Sequence, residues 1–568
     1  MNTVSQLFKT FEQLREQKEA LGDHGIYRQS QINERFYKGD QWHGLSSGQN
    51  RPLIRNNVIK RIADLKLSCV NNPVTVTFSA EGVPNTAEMR ERVMRQKNQM
   101  PQDLSLLDYD EEINLVLSAL SDYYATTCER VQYQKKCEQL LLNAYISGTG
   151  IMYTYWDSEV CTGLYLDHSR QTQIKGDIAA EVLDIENVYF GDGALDDIQR
   201  QPFIIIAQKL YLDKVKQMAA QNRISLEIKP DNDHKDKVTV LTKFYKKTVN
   251  NKTEVFAVQA VKEGFIKKEW GLGISLYPFA KYTFLRRKNS PYGESEITYS
   301  IPNQIAINRM MTASSWGTIL NGMPIMLVNN DLIRDKISNE PGQILRISGD
   351  AEDMNSAIRY ITPPSFTANY ENAALSLSST TLNMAGANDA ALGNIEPDNA
   401  SAIIAVREAA MLPMQSHLNA YYAFSEEVAR IWSQFWLNKY GNRALKITDE
   451  NGTWYLPFDA SRYAHLIINA RVDVSASSII SDAQSLATLD NMYDHGIIDA
   501  IQYLKRLPNG IISDKNGLIK EKKEELIKAA REQLLQEDCE DGTAELTEGE
   551  ADELDPYVAA AQLIGGDM

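Results

Sequence analysis

The adjacent carboxylates Asp196-Asp197 and Glu352-Asp353 are the nearest approach this sequence makes to a metal-dependent nuclease pair. Their spacing argues against that chemistry. Neighbouring residues point apart on a helix or strand, whereas two-metal catalysis needs carboxylates that converge. No G-x-x-x-x-G-K-[ST] loop is present to cradle a triphosphate, and neither H-E-x-x-H nor G-x-S-x-G occurs. Gly271-Leu272-Gly273 lacks the third glycine and the following helix of a dinucleotide site, so it reads as a turn between strands. The seven histidines are scattered. His417, in a helical run, and His495, just before Gly496, read as ordinary packed or solvent-bonded side chains. Cys69, Cys128, Cys137, Cys161 and Cys539 form no C-x-x-C pair, and their number is odd. A disulfide framework and a structural zinc site are both disfavoured, and a reducing compartment fits. The expectation is therefore no catalytic residue, no metal, no cofactor and no enzyme activity.

Charge narrows the class further. The 568 residues carry a net charge of −16, and eleven of those charges come from a stretch, 537–568, that holds no Lys or Arg. The first 536 residues are thus only mildly acidic, at −5. Residues 536–568 read as an acidic, solvated and disordered tail. A chain that grips DNA tightly usually shows a basic excess, so tight wrapping is not expected, while loose or sliding contact stays open. The N-terminal segment is amphipathic and charged, without an apolar signal core. The longest apolar stretch, 301–328, is interrupted by Asn303, Gln304, Asn308, Arg309, Asn321 and Pro324. No membrane insertion is expected, and cytoplasmic synthesis is the simple reading.

The elements that would position any working surface can be read from periodicity. Phe8, Phe11, Leu14 and Leu21 give a helical stripe near the start. Val58, Ile62, Leu65 and Val70 give another, ended by Asn71-Asn72-Pro73. Val74, Val76 and Phe78 alternate with threonines as a strand does. A helical pattern from 108 to 147 stops at Ser147-Gly148-Thr149-Gly150, and a strand-rich region follows as far as 285. Beyond it comes a helical run, then a compact strand-rich insert containing Ile325, Leu327, Val328, Ile344, Leu345 and Ile347. A second helical run follows. Then comes a small polar loop with Asn388, Asp389, Asn394 and Glu396. A helical pattern over 400–440 closes the stretch. Asp398, Asn399 and Ser401 offer caps at its start, and Pro413 inside it should kink it. The class is α+β, predominantly helical.

Several stretches together resemble the portal, or head-to-tail connector, proteins of tailed double-stranded DNA bacteriophages. They are FYKGDQW followed by RPLIRNNVIKRIADLKLSCVNNPVTVTF, then AYISGTGIMYTYWD, GDIAAEVLDIENVYFGDGAL, SPYGESEITYSIPNQIAINRMM and ARVDVSASSIISDAQSLATLDNMYDHGII. No one of them is as specific as a nucleotide-binding loop. Their order and spacing, over roughly residues 30 to 510, carry the likeness. The resemblance implies a subunit with a wing, a two-helix stem, a clip and a helical crown, assembled into a closed ring, usually of twelve. Its parts would be a wing at 1–292, stem helices at 293–321 and 366–385, a clip at 322–365 and a channel loop at 386–399. A long kinked helix and strands, 400–474, would return to the wing, with a crown at 475–535.

It implies a location at one capsid vertex of the virion after assembly in the host cytoplasm. The implied partners are the terminase large subunit, a head-tail adaptor, the major capsid and scaffolding proteins, and double-stranded DNA in transit, with no membrane. The residues suit that role. The second stem segment is rich in Ala, Ser and Thr, which lets helices crowd around a channel. The loop residues Asn388, Asp389, Asn394 and Glu396, with no Lys or Arg nearby, would face DNA without holding its phosphates. Gly386 and Gly393 give that loop freedom. The insert residues Ile325, Leu327, Val328, Ile344, Leu345 and Ile347 would form an intersubunit and partner surface. The competing reading is a non-conducting capsid- or scaffold-associated structural protein; a DNA-processing nuclease is disfavoured by the missing site.

Overall fold

A computed structural model describes residues 4–44, 52–81, 109–165, 173–231, 236–249, 251–323, 325–333, 335–337, 344, 346–347, 357–361, 367–387, 411–449, 452–473, 479–507, 517–518, 521–522 and 528. It is mixed helix and sheet. The chain divides into two units: residues 1–444 with 457–472, and residues 445–456 with 473–568.

The first unit begins with α1 (Val4–Glu19), α2 (Gly25–Lys38) and α3 (Val58–Val70), then strand β1 (Thr75–Ala80). The single helical pattern expected over 108–147 is two helices, α4 (Tyr109–Arg130) and α5 (Tyr133–Ser147). They are separated at Gln132, whose φ of 53° breaks the ladder. Gly148 ends α5 in a left-handed conformation, φ 86°, and its position lies against the backbone of Gly293, so only glycine fits.

Strand β2 (Thr149–Tyr165) lies at the centre of a three-stranded antiparallel sheet, between β3 (Gln173–Asp184) and a later strand, Phe279–Thr283. A second antiparallel sheet has five strands in sequence order: β4 (Val188–Phe190), β5 (Phe203–Tyr211), β6 (Lys237–Val249), β7 (Lys252–Val261) and β8 (Gly264–Gly271). Helix α6 (Leu212–Gln221) packs at one end of this sheet, and β9 is the Phe279–Thr283 strand. Two long helices follow, α7 (Glu296–Gly322) and α8 (Thr367–Met384), with β10 (Ile325–Val328) and β11 (Ile358–Ile361) between them.

Helix α9 (Gln415–Lys439) anchors the core of this unit. Tyr421, Phe424, Val428, Ile431, Trp432, Phe435 and Trp436 are all buried. Trp432 meets Tyr124 at 5.2 Å and Tyr133 at 5.7 Å between ring centroids. One turn on, Trp436 meets Phe78 at 5.8 Å and Tyr123 at 5.6 Å. A single helix thereby ties β1, α4 and α5 together, and its other contacts reach β2 and β9. Beyond it β12 (Asn442–Asp449) and β13 (Gly452–Asp459) form a hairpin, a short helix α10 (Ala460–Tyr463) follows, and β14 (Ile468–Asp473) pairs with β1. In the second unit, α11 (Ile479–Asp494) packs on α12 (Ala500–Arg506).

The N-terminal helix is pinned to the five-stranded sheet. Leu7, Phe8 and Leu14 pack on Tyr189, Ile205, Ala207, Leu241 and Ala260. At its end Lys18 is 1% exposed. Its ammonium donates to the carbonyls of Ile185, Glu186 and Val188, the last at 2.8 Å. It also sits 4.3 Å from the centre of the Tyr189 ring. Burial pulls its pKa down to about 7, against the opposing fields of Asp184 and Glu186. Three carbonyls and an aromatic cage are what an ammonium needs to remain inside. Lys18→Met keeps the volume but strands three carbonyls, and should cost about 3 kcal/mol in urea unfolding. An unchanged midpoint would mean that Lys18 does not hold α1.

Candidate functional site

The α7–α8 pair and its insert form the most distinctive surface among the described residues. Helix α7 begins at the N-cap Ser295, whose hydroxyl accepts from the Ile297 amide at 3.1 Å. Pro302 lies inside the helix, in its second turn, where it supplies no amide to the ladder. From there one face carries Gln304, Asn308 and Thr312, at i, i+4 and i+8.

Those three side chains take up the backbone of residues 54–59. Gln304 Oε1 accepts from the amides of Val58 (3.0 Å) and Ile59 (3.3 Å). Asn308 Oδ1 accepts from Asn56 N at 3.0 Å, and Thr312 Oγ1 from Ile54 N at 3.1 Å. Gln304 Nε2 donates to Asn56 O and to Asn308 Oδ1, while Asn308 Nδ2 donates to Gln41 Oε1. Gln304 and Asn308 are each 1% exposed. The clamp therefore satisfies backbone groups that have no ladder of their own. Lys66 and Glu296 form a buried ion pair at 2.5 Å beside it. His417 stacks on Phe284 at 4.4 Å, and burial, with Lys66 nearby, drives its pKa down to about 4. It is a neutral packing residue at physiological pH, as its sequence context suggested.

Helix α8 returns along α7. Asn303, near the start of α7, donates to Thr381 near the end of α8 at 3.1 Å, so the two run in opposite directions. Their shared contact includes Ile307, Met311, Leu377 and Leu382, with Val58 and Ile62 from α3. Apart from that seam the pair is open. Among the described side chains of α8, residues 369–384, the buried ones are Ala374 and Thr381. Leu375 is 54% exposed and Met384 79%, and on α7 Ile319 and Met323 are also exposed. Charge is nearly absent, with Glu371 on α8 and Glu296 and Arg309 on α7.

The insert closes the far end with two antiparallel strands, Ile325 opposite Ile361 and Leu327 opposite Arg359. Both strands of such a sheet are edges. Leu327, Tyr360 and Ile361 are exposed, Ile344 is 86% exposed, and Val328 is half-buried. Ile347 bridges to the buried Ile333 rather than joining the sheet. Leu345 and the side chain of Ile325 lie outside the described residues.

So do Asn388, Asp389, Asn394 and Glu396. The entry to their segment is fixed. Ala387 is fully buried, and Gly386, at φ 76°, sits 3.1 Å from the Pro413 ring as measured from an added Cβ. Pro413 belongs to a one-turn 3-10 segment, Leu412–Met414, that interrupts helical backbone: Met411 before it is helical and α9 starts at Gln415 after it. The first part of the helix expected over 400–440, residues 400–410, lies outside the described residues. A ring that supplies no amide to the ladder suits such an interruption.

Among the described residues no group of His, Cys, Asp and Glu could hold a metal ion, and no helix is long and apolar enough to cross a membrane. Asp196 accepts from Lys281 at 2.5 Å, while Asp197 caps the 3-10 turn Ile198–Arg200, so this pair serves two separate structural contacts. Glu352 and Asp353 lie outside the described residues.

No family model and no curated protein matches the sequence. Solved structures similar to this chain include one described as "Neck of empty GTA particle computed with C6 symmetry", at 11% identity and a TM-score of 0.31, covering 78% of this chain and 88% of that one. Another is from "Virion of native gene transfer agent (GTA) particle", at 11% identity and 0.31, covering 89% and 98%. A third, "Neck of native GTA particle computed with C12 symmetry", has 10% identity and 0.29, covering 82% and 89%. At such scores the likeness does not assign this chain to a family.

Gln304 is the keystone of the clamp and was not singled out by the sequence. Gln304→Ala leaves the Ile59 amide without an acceptor, removes one of the two that Val58 N has, and should lower stability by about 2 kcal/mol in chemical unfolding. Amide exchange should speed up at 54–59 first. A uniform change across the chain would mean that the clamp is not a local fastener.

Proposed function

We propose that this chain is the subunit of a phage portal ring through which double-stranded DNA is packaged and later ejected. The observation that carries the reading is the α7–α8 pair, exposed, almost uncharged and closed by a small two-stranded insert. An 18-residue helix with two buried side chains among its described residues gains little from its own subunit alone. Exposed Leu375 and Met384 are accounted for when a neighbouring copy covers them, at about 1–2 kcal/mol for each side chain removed from water. Contacts of one face with a different face of the next copy close into a ring when the rotation closes. A lining with hardly any cations would let a duplex slide, since phosphates bind through Lys and Arg and release counterions when they do.

On this reading α7 and α8 are the stem, and the β10–β11 insert is the clip that docks first the terminase large subunit and then a head-tail adaptor. The segment after Ala387 is the channel loop. The outer parts of the first unit would meet the major capsid and scaffolding proteins at one vertex of the virion, after assembly in the host cytoplasm. Twelve copies is the expected number. Function then rests on shape and weak repulsion, without bond-making, metal or cofactor.

Light scattering and end-on particle images of the purified protein should show a discrete ring of roughly twelve subunits. Leu375→Glu with Met384→Glu should leave subunit unfolding unchanged, since both side chains are exposed, but shift the population to monomers. Rings that persist in the double variant would remove α8 from the interface, and solitary subunits in the parent protein would end the portal reading. Deleting residues 325–361 should abolish terminase binding; retained binding together with intact rings would refute the role given to the insert.

A further inference from the structure

The mild net charge of the first 536 residues conceals a basic lobe. Residues 203–288 hold eighteen Lys or Arg against eight Asp or Glu. Much of this excess surrounds one small core made of Val215, Ala219, Ile228, Val238, Val240, Val261 and Ile266. That core gathers α6, the segment after it, the start of β6 and the β7–β8 turn at one end of the five-stranded sheet. Gly264 in the turn lies under the Leu226 side chain, which holds the segment after α6 against the turn.

Packing the apolar residues inward turns their charged neighbours outward. Lys214 and Lys216 flank buried Val215 on α6, Lys229 follows buried Ile228, and Lys262 follows buried Val261. With Arg223 and Lys268 these make six exposed cations, and among the described residues none of the six has an ion-pair partner within 4 Å. Asp213, Glu227, Asp236 and Glu263 share the rim without closing a pair on any of them. Asp231 is turned inward, accepting from Thr239 N at 2.8 Å and Thr239 Oγ1 at 2.6 Å. Two further lysines lie over aromatic rings: Lys237 at 5.1 Å from Tyr211, which is 63% exposed, and Lys267 at 4.0 Å from Trp270.

We infer that this lobe is a binding surface for the phosphate backbone of duplex DNA, separate from the nearly uncharged α7–α8 pair. The chemistry of the rim favours that ligand over an acidic protein. A stable protein partner needs an apolar anchor seated in a pocket, and here Val215, Val261 and Ile266 are fully buried, so the rim offers charge without such a seat. Long, unpaired cations around a small core suit a ligand recognised by regular negative charge alone. The inference stands on this lobe's own charges and does not require the ring.

The test is fluorescence anisotropy of the full chain with a random-sequence duplex of about 30 base pairs. Binding through four or so phosphates should weaken about a hundredfold between 50 and 200 mM salt. Lys214→Glu, Lys216→Glu, Lys262→Glu and Lys268→Glu together should lose at least tenfold in affinity at the lower salt and flatten the salt slope. The matching Lys→Gln set, which introduces no new charge, should fall between the two with an unchanged thermal midpoint. The Leu375→Glu, Met384→Glu variant should bind duplex through the lobe as the parent does, which separates this surface from ring assembly. No binding at 50 mM salt, equal binding by the parent and both lysine variants, or tighter binding of a polyglutamate peptide than of the duplex would each overturn the inference.

Discussion

Burial of α9 is the constraint on which the larger unit depends. A helix with two tryptophans, two phenylalanines and a tyrosine fully inside keeps, beyond its first turn, only a narrow exposed stripe, Asn419, Ala423, Arg430 and Asn438, so neighbours must cover the rest of it. β1, α4 and α5 meet its aromatic side chains edge-on, the arrangement that ring quadrupoles favour. At its end the polar equivalent appears. Asp177, 2% exposed, is held by Arg130 at 2.9 Å and accepts from the Tyr440 hydroxyl, which in turn contacts that of Tyr123 at 3.1 Å. A carboxylate this deep is tolerable only with each of those partners in place. It therefore fixes where β3 and α4 lie about the last turn of the helix.

A rigid centre of this kind allows α7 and α8 to expose so much. Their root is held by the Gln304–Asn308–Thr312 clamp and the Lys66–Glu296 pair, both of which tie α7 to residues 54–66. The energy that locates the helices is thus concentrated near their base. Farther along, the exposed faces can be chosen for what they meet outside the subunit, and they are neither charged nor fully polar. Pro413 belongs to the same base: its ring lies against Gly386, so the start of the segment after α8 and the start of α9 are set by one contact.

How much of this was legible in the sequence follows from which interactions are local. The α7 and α8 stretches could be read because helical periodicity and their flanking turns act over a few residues. The break between α4 and α5 was missed because Gln132 at positive φ leaves no sequence signal as glycine would. Pro413 was visible because a proline interrupts helical backbone wherever it falls, and it lies in the 3-10 turn between helical Met411 and α9. The clamp was invisible for a different reason. Gln304 and Asn308 look like solvent-facing polar residues until the segment leading into α3 and that helix's first amides, some 250 residues earlier in the chain, are laid beside them. Lys18 was hidden in the same way, since its acceptors are backbone carbonyls from a distant turn.

Charge was the quantity most easily misread, because a sum over 568 residues averages regions that the fold keeps apart. Subtracting an acidic stretch leaves a body near neutrality, and neutrality reads as indifference to polyanions. Folding changes that reading. It gathers an excess of cations around one lobe and leaves α7 and α8 with almost none, so two surfaces of opposite electrostatic character exist within one unit. Screening limits each to about 10 Å at ordinary ionic strength. A polyanion at the lobe and one sliding past α8 would therefore feel different molecules, and the composition of the whole chain predicts neither.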